Sequence, residues 1–282
     1  LRDLPGHAIL TTVGAMRVRH VVPLIVASAC FSKPGLREDP SDGGGDSPPG
    51  SSCDFAQQSG LVAYLPFDEV NGTETLDHSP LHNNGTLNGS LQQEPGRAGM
   101  ALRWSTQNQY VDLGSAESLD QLPAMTACVW LLPVGSTDAG TVLDKSADGI
   151  VGGWNLYTTP QGGSVGVGFV NRSALVEQTA GVIARNGPWA HVCVTWDGSD
   201  GQVAGNQVSG VHLWVDGSEV QPDYAVETYR TPPADDSPRR LRIGSGAKVG
   251  TDYTFRGLID EVVIFDRVLD GTQIAAIRDC AP

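Results

Sequence analysis

The segment from Phe255 to Leu269, FRGLIDEVVIFDRVL, constrains the fold more than any other. Read with the two-residue period of a strand, it puts Ile259, Val263 and Phe265 on one face and Leu258, Val262 and Ile264 on the other. A strand with one wet side alternates apolar with polar residues. Apolar residues on both sides predict a central strand, covered above and below. Two carboxylates, Asp260 and Glu261, interrupt the run. Adjacent strand residues point to opposite faces, and a buried charge needs a partner. At least one of the two therefore faces a cation, an arginine such as Arg256, or a sheet rim. Beyond it, Asp270 and Gln273 are spaced as the capping box of a short C-terminal helix.

Upstream, short apolar runs alternate with turn residues, as the 35 Gly and 18 Pro require. Strands are predicted at 60–69, 101–104, 110–113, 125–132, 141–145, 154–158, 164–170, 174–179, 189–196, 211–215 and 241–243. Asp216-Gly217 marks the clearest hairpin, between Val215 and Ser218. About thirteen strands of this kind make one all-β, two-sheet antiparallel sandwich over residues 53–282, with no second domain.

The formal net charge is −14, which repels nucleic acid and anionic lipid. It is compatible with a modest affinity for divalent cations. The five cysteines include no C-x-x-C pair, so zinc-ribbon and thioredoxin-like motifs are unsupported. Wide spacing suits disulfides made outside the cytosol.

Met16-Arg17-Val18-Arg19-His20 is a basic start, and an apolar run from Val21 to Ala29 follows, too short to span a bilayer. Residues 1–30 therefore read as a secretory signal, with translation expected to begin at Met16. Ala27-Ser28-Ala29-Cys30 resembles a bacterial lipobox, which implies lipidation of Cys30 and a membrane-anchored lipoprotein, periplasmic or on the cell surface. The alternative is plain cleavage after Ala29 and secretion. Residues 31–52 are rich in Gly, Pro, Ser and Asp, cannot bury a core, and read as a flexible tether.

Four stretches carry a family resemblance. The closing run resembles F-x-G-x-I-D-E-V-x-I-Y. Tyr64-Leu65-Pro66-Phe67-Asp68-Glu69 and the loop Asp77 to Leu87 resemble an opening Y-x-P-F-D-E followed by D-x-S-G-N-x-x-G-T-L, with Pro80 and Leu81 in place of Gly-Asn. Met125 to Trp130 resembles F-T-I-S-x-W, and Trp189 to Gly198 resembles W-x-H-V-A-V-T-Y-D-G. Together they are similar to the laminin-G-like, concanavalin A-like jelly rolls. The pentraxin branch carries Cys at the places of Cys128 and Cys193, so the resemblance implies that these two are bonded. It also makes the first and last strands neighbours, which implies a Cys53–Cys280 bridge. Relatives often hold a structural Ca²⁺ between the opening loop and the last strand, and Asp77, Asn83 and Asp260 take the matching positions. The pentraxin pair of ligand calciums is not implied, because 244–252 has almost no carboxylate.

The family includes glycosidases, but their alternating carboxylates, E-x-D-x-x-E or a variant, are not found. His191, inside a strand, reads as structural. Aromatic residues in or near turns, Trp154, Tyr157, Tyr224, Tyr229 and Tyr253, are candidates for stacking on a sugar. The sequence thus predicts a non-catalytic binding module for a glycan or cell-surface protein. A glycan hydrolase and a purely structural adhesin domain are the alternatives.

Overall fold

The closing strand, Gly257–Phe265, is buried along its whole length. It pairs antiparallel with Met125–Pro133, with Met100–Trp104 and with the opening strand Leu61–Leu65. The first and last strands are thus neighbours, as expected. The computed structural model of the chain describes residues 58–135, 140–147, 153–171, 175–199, 201–227, 235–246 and 253–280, with the backbone alone at 175–178 and 227. The signal segment, the tether, Cys30, Cys53 and Tyr229 lie outside the described residues.

Two antiparallel sheets form the sandwich. The first, of eight strands, runs in the order Ser218–Val220, Val211–Val215, Ala190–Trp196, Met125–Pro133, Gly257–Phe265, Met100–Trp104 and Gln92–Pro95, with Leu61–Leu65 beside the closing strand. The second, of eleven strands, is centred on Trp154–Gln161, flanked by Gly140–Lys145 and Ser164–Val170. Leu241–Ile243 and Tyr110–Gly114 extend it on one side, Leu175–Gln178 and Tyr224–Glu227 on the other. The core between the sheets takes Leu102, Trp104, Val129, Leu131, Val192 and Val194 from the first. It takes Val111, Leu143, Leu156, Phe169 and Ile243 from the second.

The closing strand does not alternate as its sequence suggests. Ile259, Val262 and Ile264 enter the core between the sheets. Val263 and Phe265 go to the outer side, where Leu61, Leu269, Ile274 and Ile277 form a second apolar cluster. The cause is a β-bulge. The register against Met125–Pro133 slips between Asp260 and Val263, and Glu261 has a left-handed φ of 50°. One residue is absorbed, the alternation reverses, and Asp260 and Glu261 leave the strand on the same, outer side. The opposite-face placement expected from their adjacency is thereby overturned.

Local rules hold elsewhere. At the hairpin, Asp216 and Gly217 both have positive φ, 50° and 76°, and Val215 pairs with Ser218. Helix α1 (Gly271–Asp279) starts at Asp270, whose carboxylate accepts from Gln273 N while the Gln273 side chain accepts from Asp270 N. Its apolar stripe, Ile274 and Ile277, covers the outer side of the first sheet.

Candidate functional site

The bulge gathers a polar group on the outer side of the first sheet. Asp260 Oδ2 accepts from the backbone N–H groups of Arg97 at 2.7 Å and Ala98 at 3.2 Å, and Oδ1 accepts from Glu261 N at 2.9 Å. Tyr64 Oη donates to Glu261 Oε2 at 2.8 Å. Asp68 accepts from Met100 N at 2.6 Å. The turn from Pro95 to Met100 thus cradles two carboxylates. A side chain at Gly96 would strike Asp260 Oδ2, and one at Gly99 would strike Asp68. Burial raises both Asp260 and Glu261 to about 7, and the charge of Asp68 adds to each. Burial and the neighbouring Glu261 also push the Tyr64 phenol well up. Sequence reasoning missed this group, because the bulge that builds it has no sequence signature. Arg256, the arginine suggested for Asp260, lies elsewhere.

The residues proposed for calcium divide into two sets. Asp77 Oδ1 accepts from Tyr64 N at 2.7 Å and Ser79 N at 2.8 Å; Oδ2 accepts from Ser79 Oγ and Asn83 N, both at 2.7 Å. Asn83 donates from Nδ2 to Val62 O at 2.9 Å and accepts from Ser118 Oγ at 3.1 Å. Asp77 and Asn83 therefore pin the opening loop together. Asp260 draws its donors from another turn and shares no partner with them. As arranged, the three are filled by N–H and O–H donors and do not form one oxygen cage, which is what Ca²⁺ requires.

Cys128 and Cys193 face each other across paired strands and are bonded, with Cα atoms 4.1 Å apart. His191 lies against this disulfide, its ring nitrogens 3.7 and 3.8 Å from Cys193 Sγ, and against Trp130, whose other contact is the Arg97 guanidinium. Burial lowers His191 to about 3, and the nearby Arg278 contributes. It is a neutral packing histidine, as its place in a strand predicted. The two sulfurs and this ring are the only three-membered gathering of His, Cys, Asp and Glu ligand atoms among the described residues. A bonded sulfur is no thiolate, so they hold no metal in this state.

Two of the nominated aromatics meet on the outer side of the second sheet. Tyr157 pairs with Gly168, Gly168 with position 178, and position 178 with Tyr224, so the tyrosines share one row. Gly168 leaves the room that the Tyr157 ring occupies; any side chain there would strike it. Burial, and then Tyr224, push the Tyr157 phenol up. Tyr224 is 46 % exposed. Trp154 belongs to the core, whereas Tyr253 is exposed. A second row, on the same side, reads Thr86, Asp112, Arg242, Asp144 and Asn155. Arg240 grips Asp112 through Nε at 2.7 and 2.9 Å, and Arg242 stacks on Tyr110. Asn155 Oδ1 and Arg242 Nε are shielded yet accept or donate no hydrogen bond among the described residues. The strands that carry Asp112, Asp144, Asn155 and Arg242 were legible in the sequence, but the strand of Thr86 and the register that aligns the row were not.

Known proteins share this fold. Domain 4 of AbnA, an extracellular arabinanase of Geobacillus stearothermophilus solved with arabinotriose, superposes with a TM-score of 0.54 at 18 % identity, over 79 % of this chain and 98 % of that one. The binding domain of Paraclostridial Mosquitocidal Protein 1 gives 0.56 at 14 %, over 78 % and 52 %. A botulinum neurotoxin type C structure, described with two ganglioside molecules in cell entry, gives 0.52 at 13 %, over 79 % and 51 %. The chain spans about half the length of these toxin chains. No curated protein matches the sequence. The profile described as the Concanavalin A-like lectin/glucanases superfamily matches residues 105–275, more than half of the chain, and with the two-sheet jelly roll and its closing strand in place, the chain belongs to that superfamily.

Proposed function

We propose that the domain is a non-catalytic binding module for a glycan, displayed outside the cytosol. The row shared by Tyr157 and Tyr224 carries this reading. It sets an exposed aromatic ring beside a half-buried one, next to a row with unsatisfied Asn155 and Arg242 groups. Aromatic rings that bury apolar area and nearby polar groups that fix orientation are the two parts of a ligand surface. The arabinotriose complex and the ganglioside-dependent toxin add support by likeness of fold alone. The disulfide fits an oxidising compartment. Asp260 and Glu261, now on one side, are occupied by amide and phenol donors beneath a turn, which favours a structural role over acid and nucleophile. Among the described residues no helix is long and apolar enough to cross a membrane.

A glycan array read with Ca²⁺ and with EDTA tests this reading. Specific hits, reduced at least about tenfold by Tyr224→Ala, are expected, since truncating an aromatic anchor removes a large contact. Hits lost in EDTA would support a structural Ca²⁺ that exchanges with the N–H donors on Asp77 or Asp260. An array with no hits would sink the glycan reading and leave adhesion to a cell-surface protein. The anchor is part of the proposal: Cys30 carries the lipid and residues 31–52 act as tether. Cys30→Ser should move the protein from the membrane fraction to the soluble one; unchanged fractionation would refute lipidation.

A further inference from the structure

Cys128, Cys193 and His191 are held together by the sheet, not only by the bond between the sulfurs. Ala190–Trp196 pairs with Met125–Leu131 residue by residue, which sets Cys193 opposite Cys128 and His191 opposite Trp130. Cys128 is paired on its other side with Val263. His191 and Cys193, two residues apart, share one face of their strand. His191 N donates to Asp216 Oδ1 at 2.9 Å and His191 O accepts from Asp216 N at 2.8 Å, so its backbone is fixed to the hairpin turn. All three residues are at most 1 % exposed. Opening the disulfide would therefore leave two thiols and an imidazole facing one another.

One ligand atom from each lies within 4.8 Å of the other two. Among the described residues, the only hydrogen-bonding atom near the His191 ring nitrogens is Cys193 Sγ, 3.8 Å from Nδ1 and 3.7 Å from Nε2. A buried imidazole without an oxygen or nitrogen partner leaves polar atoms poorly satisfied, at a cost. Around a tetrahedral zinc, bonds of about 2.3 Å to sulfur and about 2.0–2.1 Å to nitrogen put those two atoms roughly 3.6 Å apart. The spacing found here is close to that. Two thiolates and a neutral imidazole also cancel the charge of a divalent cation, and a neutral complex suits a buried, apolar place.

We propose that Cys128, Cys193 and His191 form a redox-gated site for one thiophilic divalent cation of the zinc class, shut as the disulfide and opened when a dithiol reduces it. The dithiol passes two electrons and two protons to the bridge, leaves it as two thiols, and is itself oxidised to a disulfide. The cation then takes the place of the two thiol protons, which go to solvent. Thiolate sulfur selects zinc over the hard cations that carboxylates favour. Three protein ligands leave the fourth position to water or a solute. An oxidising compartment keeps the site shut. The site lies on the outer side of the first sheet and does not depend on the glycan reading, which concerns the second.

Co²⁺ titration of the full chain, followed by absorption, tests it. The oxidised chain should give no thiolate-to-cobalt charge-transfer band. After reduction by dithiothreitol, and its removal under argon, Co²⁺ should give that band and the visible absorption of a tetrahedral ion. Zn²⁺ should abolish both by displacement. It should also raise the melting temperature of the reduced chain and leave that of the oxidised chain unchanged. Cys193→Ser, treated in the same way, should lose one equivalent of Co²⁺, which separates this site from Cys30, Cys53 and Cys280. His191→Phe, which keeps a ring against Trp130, should weaken Co²⁺ binding at least about tenfold, the smallest loss seen when even a supporting partner of a metal ligand is removed. Should His191→Phe fail to fold, as judged by near-ultraviolet circular dichroism, His191→Asn carries the comparison. A bridge that dithiothreitol leaves closed in the folded chain overturns the proposal, as does a reduced chain that stays unfolded with Zn²⁺. So does a full-sized band in Cys193→Ser, or undiminished affinity without His191.

Discussion

Glu261 is the residue on which the outer side of the first sheet turns. It occupies a left-handed conformation that non-glycine residues rarely adopt, and its carboxylate is held by the Tyr64 hydroxyl. Burial raises it and Asp260 to about 7, whereas an unfolded chain titrates these groups near 4. Between about pH 4 and 7 the folded state therefore holds protons that the unfolded state has released. The contribution of the pair to stability is full below about pH 4 and is lost as the pH climbs through 7. Thermal melts in EDTA should show the unmodified protein losing more stability between pH 5 and pH 8 than Glu261→Gln, which keeps an acceptor for Tyr64. An equally steep fall in the variant would show that Glu261 ionises like an exposed carboxyl.

At the scale of elements, the disulfide and α1 work together. Cys128–Cys193 joins two central strands across a separation of 65 residues, and α1 lays Ile274 and Ile277 over the same outer cluster. Opening the bridge with Cys128→Ala and Cys193→Ala should cost about 2–5 kcal/mol in urea unfolding. A cost well under about 1 kcal/mol would mean that strand pairing alone holds this seam. Elements of this kind were legible in the sequence, because their signals are local or carried by family likeness. Asp216-Gly217 fixes a turn, Asp270 and Gln273 fix a helix start, and the cysteine pair came from the pentraxin likeness. Gly85–Asn88 and Gln92–Pro95 were not foreseen as strands, since neither has an apolar face to advertise it. The side chosen by Val262 and Val263 was misjudged because one bulged residue inverts everything on one side of it. The tyrosine row was hidden for another reason: Tyr157 and Tyr224 lie on strands separated by two others, and no pattern within either segment records the register between them.

At the scale of the molecule, the described fold brings its two ends to one place. Leu61 pairs with Phe265, Asp266 N donates to Gly60 O at 2.9 Å, and Arg267 Nε donates to Ser59 O at 3.0 Å. From there α1 leads to Cys280, which is buried at its C-cap. Ser59 and Gly60 thus lie beside the segment that launches α1, and Cys280 shares the outer cluster with Leu61; both support the proposal of a bridge from Cys53 to Cys280. Such a bridge would close nearly the whole domain into one loop, and long loops gain most from closure in the chain-entropy account. With Cys30 taken by lipid and Cys128 by Cys193, it would also leave no cysteine unassigned in an exported protein. Proteolytic digestion without reductant should release the peptides of Cys53 and Cys280 as one linked mass that separates on reduction. Quantitative alkylation of Cys53 in the native, unreduced protein would rule the bridge out, and the ends would then be held by the strand pairing and hydrogen bonds named here alone.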